Sequence, residues 1–236
     1  MLDNLIKEPF LGFDENSLAF LKKLEDKKYN NKAWFDKNRN LYENFIKLPM
    51  RALIDALAGE LFKFDSSIIV NHKCIFRINR DIRFSKIKTP YKSMTSASFC
   101  FDVIKKPELP QFYFHLSPSE FLFAGGQWNS DPEKIKKMRK YICNNFDYFK
   151  KIISEKYFIK EYKQICGDKL KNLPRGYDNL KFDKNELLIE FLKMKQFYVY
   201  TTYKPEIAFD TDLVNIIIQN IKLSYDFTKF LNDALK

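Results

Sequence analysis

The sequence predicts an α+β fold: N-terminal helices, a mainly antiparallel sheet of four or more strands in the middle, and C-terminal helices. Two observations carry this. Apolar residues recur every three or four positions up to about residue 64, then every second position from about residue 73. The candidate strands also follow one another across short connections, which join antiparallel neighbours, and helical spacing returns after residue 131. Helices, then sheet, then helices is the order of an α+β chain. A length of 236 residues suits a single domain over 1–236.

The first helix is expected over 15–28. Asp14 or Asn16 caps it, and Leu18, Leu21 and Leu24 lie at helical spacing. A second helical stretch, 31–64, opens at Asn30 or Asn31 and carries Trp34, Leu41, Phe45 and Leu48 along one stripe. Pro49 breaks it and starts a new helix, since proline suits the first helical turn. Period-two texture marks strands at "CIFRIN" (74–79), "TSASFCFDV" (95–103), "QFYFHL" (111–116) and "EFLFAG" (120–125), the last two joined by the hairpin turn "SPS". Asp131 and Pro132 open a basic helix to residue 145, and more helix follows through 146–166. "NELLIEFLKM" is a short helix and "QFYVYTTY" (196–203) a further strand, and Pro205 leads into C-terminal helix.

Aromatics at 17% and hydrophobic residues at 45% supply ample core material and exclude intrinsic disorder. The net charge of +11 is uneven. Residues 73–92 hold seven cations against Asp81 alone, and 134–181 come to +9, while the rest of the chain is balanced or slightly acidic. A concentrated positive field attracts anions: nucleic acid, phosphorylated small molecules or an acidic partner. Cys74, Cys100, Cys143 and Cys166 form no CxxC pair and only two histidines are present, so neither a metal site nor a cofactor is expected. All four cysteines are expected to be thiols. No secretory signal and no apolar run of bilayer length is seen, so the chain is expected to be soluble and cytoplasmic.

The basic stretch "RDIRFSKIKTPYK" (80–92) has two readings. An unbroken strand from 74 to 84 places Cys74, Phe76, Ile78, Ile82 and Phe84 on one face with Arg80 among them. A guanidinium there requires a carboxylate or another anion, and Asp81 is the adjacent candidate. If the strand stops near Asn79, that parity argument lapses. Arginine's planar fork suits carboxylate or phosphate, so Arg80, Arg83, Lys88 and Tyr91 are candidate anion ligands. In the alternative, the arginines are structural ion pairs and the lysines are solvated.

"NNKAWFDKNRNLYE", "RINRDIRFSKIKTPYK", "FYFHLSPSEFLFAGGQW" and "LPRGYDNLKFDKNELLIEFLKMKQF" occur in that order over residues 10 to 203. In this the chain resembles the family catalogued as domain of unknown function 2461. The resemblance implies signature positions at Arg80, Asp81, Arg83, Phe84, Lys88, Pro90 and Tyr91, and it implies no reaction. Ile87 stands where that family usually has an acid.

"FAGGQW" puts Gly125 and Gly126 at a strand end, where bare backbone permits a turn, a bulge or close approach of a ligand. Trp128 either walls a pocket or lies in the core. His115 is a general base or a hydrogen-bonded strand histidine, with no nucleophile near it in sequence. Lys136, Lys137 and Lys140 form the outer side of the basic helix. Three functions follow in order. The first is a pocket for a phosphorylated or carboxylated small molecule, built from Arg80, Arg83, Lys88, Tyr91, Gly125, Gly126 and Trp128. The second is a non-catalytic interaction protein with structural arginines, Arg80 pairing with Asp81. The third is nucleic-acid binding through 73–92 and 134–163, though no recognised signature for it appears.

Overall fold

A computed structural model of the chain describes residues 9–83, 86–129, 131–177 and 185–236. Helices α1 (Glu15–Lys23), α2 (Lys32–Lys37), α3 (Arg39–Tyr42) and α4 (Leu48–Phe64) come first, with a π-helical turn at Glu43–Lys47. Strands β1 (Thr95–Cys100), β2 (Gln111–Leu116) and β3 (Phe121–Gln127) follow. Next come α5 (Pro132–Asn144), α6 (Phe146–Ile153), α7 (Lys156–Tyr162), α8 (Glu186–Lys193), strand β4 (Phe197–Tyr203) and the long α9 (Leu213–Asp233). The four strands pair antiparallel in the order β1-β2-β3-β4. The α+β architecture is the one the periodicity predicts.

Packing divides the chain into two compact units. One is Met1–Lys105, Tyr113–Phe123 and Thr202–Gln219; the other is Lys106–Phe112, Ala124–Thr201 and Asn220–Lys236. Within the first, Leu21, Leu53, Leu57, Phe99, Phe114 and Phe121 are buried to 2% exposure or less. Phe114 meets Phe99 on β1 and Phe121 on β3, with ring centroids 6.0 and 5.9 Å apart, so the even positions of β2 face this core. Its odd positions, Tyr113 and His115, lie on the other face and are half-buried.

Local chemistry sets several boundaries. Asp14 and Ser17 form a reciprocal capping box on α1. Asn31, not Asn30, caps α2. Asp131 caps α5, with Pro132 in its first turn. Ser117 N–H donates to Glu120 O (2.9 Å), closing the turn between β2 and β3.

Three expectations are corrected. Pro49 lies in the first turn of a new helix, α4, as expected, but it does not break the chain's helical run: α4 begins one residue before it, directly after the π-helical turn. Proline offers no N–H to Phe45 O four residues back, and the Ser17 hydroxyl donates to that carbonyl instead (2.7 Å). Residues 74–79 are not a strand. A 3-10 turn occupies His72–Cys74, and the segment then makes single bridges to two different partners, Ile75 to Ala97 and Asn79 to Tyr91. Split between two partners, it joins neither as a strand. Similarly, the expected strand 95–103 ends at Cys100, and Asp102 turns the chain with φ 57°.

Among the described residues, no helix is long and apolar enough to cross a membrane. None of the four cysteines is in a disulfide; Cys74 and Cys100 are buried.

Candidate functional site

The basic stretch is a loop closed by a short ladder. Arg80 N–H donates to Pro90 O (2.7 Å) and Lys92 N–H to Ile78 O (2.9 Å), flanking the Asn79–Tyr91 bridge. Tyr91 anchors it. Its ring stacks on Phe35 at 4.0 Å and 12°, and its backbone is gripped by Asn30. Tyr91 is 5% exposed, and burial pushes its phenol above the usual range, with Asp36 adding to the effect.

The loop's own charges divide into two kinds. Asp81 pairs with Arg83, not with Arg80: Nε and Nη2 of Arg83 donate to the two carboxylate oxygens at 3.0 and 2.7 Å, and its backbone N–H adds a third bond. Asp81 and Arg83 lie two residues apart in an exposed turn that folds the Arg83 guanidinium back onto the carboxylate, while Arg80, although adjacent in sequence, donates toward Tyr91 O. Arg83 thereby holds the Asp81 carboxyl below the usual carboxylate range, with a lesser pull from Arg77. Lys88 Nζ folds back onto Ile82 O (2.9 Å). Ile87 is 55% exposed. Phe84 lies outside the described residues.

Arg80 is half-buried and differs from its neighbours. Its Nη2 donates weakly to Tyr91 O (3.4 Å), and its buried Nε has no hydrogen-bond partner among the described residues. The expected carboxylate partner is replaced by a main-chain carbonyl.

Three further cations, Arg77, Lys92 and Lys105, gather near it, the two lysines beside the ring of Phe76. Phe76 N–H bonds Ser96 O (2.9 Å), which seats the ring beside β1. Lys92 Nζ lies 5.4 Å from the ring centroid and donates to Arg77 O (3.1 Å). Lys105 Nζ lies 4.8 Å from the centroid and donates to Ile75 O (2.9 Å). Burial first, then the charges of Arg80, Arg77 and Lys105, push the Lys92 amine below its ordinary pKa. Among the described residues, no carboxylate forms an ion pair with Arg77, Arg80, Lys92 or Lys105.

From Phe76 a row of rings runs across the sheet. Phe76 meets Tyr113 edge-on at 6.2 Å, and Tyr113 meets His115 edge-on at 5.7 Å. The Tyr113 hydroxyl bonds Ser96 and approaches Met94 Sδ (3.9 Å), and burial raises its pKa. His115 Nε2 faces Glu120 Oε1 at 3.4 Å. Burial lowers the imidazole pKa more than Glu120 raises it, so the ring is neutral. Facing a carboxylate, Nε2 carries the proton, and Nδ1 is left as the acceptor. Nδ1 is buried with no hydrogen-bond partner among the described residues, and so is Ser98 Oγ on the same sheet face.

The Gly-Gly-x-Trp motif belongs to the second unit. Strand β3 runs through both glycines. Gly126 has φ +110°, and a Cβ there would collide with Phe197 O; a Cβ on Gly125 would come within 2.8 Å of Ser224 Oγ. Both glycines therefore answer to close packing against β4 and α9. Trp128 is 64% exposed and meets Tyr198 edge-on at 4.7 Å, so it is not a core tryptophan. On α5, Lys136, Lys137 and Lys140 are exposed opposite buried Ile135, Met138 and Ile142, as a solvated face requires.

Sequence reasoning selected Arg80, counted Arg77 and Lys92 in the cationic stretch 73–92 without choosing them as ligands, and missed Lys105. Lys105 gave no periodic signal, because a backbone turn with φ 32° brings it there. Among the described residues, no group of three or more His, Cys, Asp or Glu could hold a metal ion.

The family model for a conserved hypothetical protein, domain of unknown function 2461, matches residues 16–230. The chain belongs to that family. No curated protein matches it.

Proposed function

We propose that the chain binds an anionic small molecule, phosphorylated or carboxylated, at the corner formed by Arg77, Arg80, Lys92 and Lys105. One observation supports this: Lys92 and Lys105 lie 5.4 and 4.8 Å from the Phe76 ring centroid, the charges of Arg77 and Arg80 act on Lys92, and among the described residues no carboxylate forms an ion pair with any of the four. At an effective dielectric of about 20, two like charges about 8 Å apart repel by roughly 2 kcal/mol, less where solvent screens them. A bound anion removes that repulsion and supplies a partner for the Arg80 guanidinium. Arg80 is the residue of the expected site that this reading retains; Arg83, Lys88 and Tyr91 are engaged with Asp81, Ile82 and Phe35.

Thermal shift against inorganic phosphate and succinate tests it, because a ligand that binds only the native state raises the melting temperature by mass action. Saturable stabilisation, weakened by added salt and lost in Arg80→Gln and in Lys105→Gln, is expected. Equal responses from wild type and both variants would remove the proposal.

A second reading, a non-catalytic interaction protein, draws on the anchoring of Tyr91 by Asn30 and Phe35. That anchoring makes part of the signature segment structural. Absence of any anion response, together with destabilisation at Asn30 and Tyr91, favours it.

A further inference from the structure

We propose that the anion bound at the cationic corner carries hydrogen-bonding hydroxyl or N–H groups on its uncharged part, and that His115 Nδ1 and Ser98 Oγ receive them. This rests on the anion-binding reading and adds the chemistry of the ligand's other end.

The argument begins with two atoms. A buried polar atom without a partner costs roughly 1–3 kcal/mol, and most native polar groups avoid it. His115 Nδ1 and Ser98 Oγ both stand in that state among the described residues, on one face of neighbouring strands. Ser98 is fully buried. Their chemistry is complementary to a donor. Glu120 fixes the protonated nitrogen of the imidazole at Nε2, so Nδ1 offers a lone pair, and a serine hydroxyl can accept or donate. Nδ1 does not suit an anion, because in the neutral ring it offers only a lone pair, whereas the serine hydroxyl adapts to either kind of group.

The second observation is continuity. Two ring contacts, Phe76 to Tyr113 and Tyr113 to His115, lead from the cations to the imidazole within the same unit. A ligand lying along this row would place its charge beside Lys92 and Lys105 and its uncharged part toward His115. Nδ1 and Ser98 Oγ are out of contact with solvent, so a ligand reaches them only by displacing the half-buried Tyr113 ring. Tyr113 is held at its tip by Ser96 and Met94, both on the same sheet face or its margin.

The test compares inorganic phosphate and methyl phosphate, which lack the extra donors, with ribose 5-phosphate, glycerol 3-phosphate and gluconate, by calorimetry on wild type, His115→Phe and Ser98→Ala. At least one hydroxylated anion is expected to bind wild type about tenfold or more tighter than inorganic phosphate, the increment of one or two hydrogen bonds. Either variant is expected to bring that anion back to the phosphate level and to leave inorganic phosphate itself unchanged. Hydroxylated anions that bind no tighter than methyl phosphate overturn the inference while leaving the anion site standing. So does an increment that survives in both variants. Failure of every anion, inorganic phosphate included, overturns the anion site and this inference together. A second readout does not depend on folding of a variant: the Nδ1 nitrogen resonance of His115, separated from that of His72 by a His72→Gln control, is expected to shift with the hydroxylated anion and not with inorganic phosphate. A resonance that ignores both, in protein that binds the hydroxylated anion, overturns the inference.

Discussion

The side chain of Asn30 pairs with the backbone of Tyr91 as a neighbouring strand would: Oδ1 accepts from Tyr91 N–H and Nδ2 donates to Tyr91 O, both at 2.9 Å. Asn30 is 4% exposed, so no solvent stands ready to replace it. Asn30→Ala leaves a buried N–H and weakens the satisfaction of a buried carbonyl. A loss of roughly 2–4 kcal/mol is expected, measured by urea unfolding. Asn30→Asp keeps the acceptor and loses the donor, so it should fall short of wild type as well.

The arginines of the loop are expected to separate by function. Arg83→Ala breaks an exposed pair with Asp81 and should leave both the melting temperature and phosphate binding near wild type. Arg80→Gln should abolish the phosphate-induced stabilisation while the apo melting temperature changes little, because its one protein bond is long. Thermal shift with and without phosphate separates the two. Equal effects from both substitutions would contradict the division.

His115 gives a pH signature. Its folded-state pKa lies below the ordinary 6.5. Above that value the folded and unfolded rings are both neutral, and histidine contributes nothing to the slope. As pH falls through 6.5 the unfolded chain takes a proton that the folded ring refuses, so stability declines until the lowered folded pKa is reached. Glu120 and Tyr113 are the groups that face the ring. His115→Phe should flatten the stability profile between pH 7 and 5. Glu120→Gln should steepen it, since the carboxylate is what raises the imidazole pKa.

Two glycines should respond in opposite directions. Gly126→Ala forces a side chain into a left-handed conformation and against Phe197 O, and is expected to cost roughly 1–3 kcal/mol. Gly59 lies exposed within α4 with nothing near its missing Cβ. Gly59→Ala should stabilise by about 0.5–1 kcal/mol. Chemical denaturation of the two variants reads both signs.

Periodicity made the architecture legible because each element buries one face, and burial leaves a period of two or of three to four. Asp14, Asn31 and Asp131 were legible as caps for an equally local reason. What failed was nonlocal. Residues 74–79 alternate like a strand, yet their backbone bonds are shared between Ala97 and Tyr91. Asn30 competed with Asn31 for a capping role and took a partner 61 residues away. In the basic loop, adjacency favoured Arg80 for Asp81, while the turn delivered Arg83. Of the companions of Arg80, Arg77 and Lys92 belong to the basic stretch 73–92 itself, whereas Lys105 arrives from a distant turn, and no linear spacing encodes that meeting.

The Ser17 hydroxyl that occupies Phe45 O ties the tolerance of two distant positions together. Pro49→Ala would restore an amide N–H to the helix at the place where Ser17 now donates. Ser17→Ala should then cost less in that background than in wild type, a coupling on the order of 1 kcal/mol in a double-mutant cycle. Epistasis of this kind gives the order of substitution a direction. A lineage that first replaced the proline could afterwards drift at residue 17, whereas one that lost the serine first would carry a weakened helix until the proline followed.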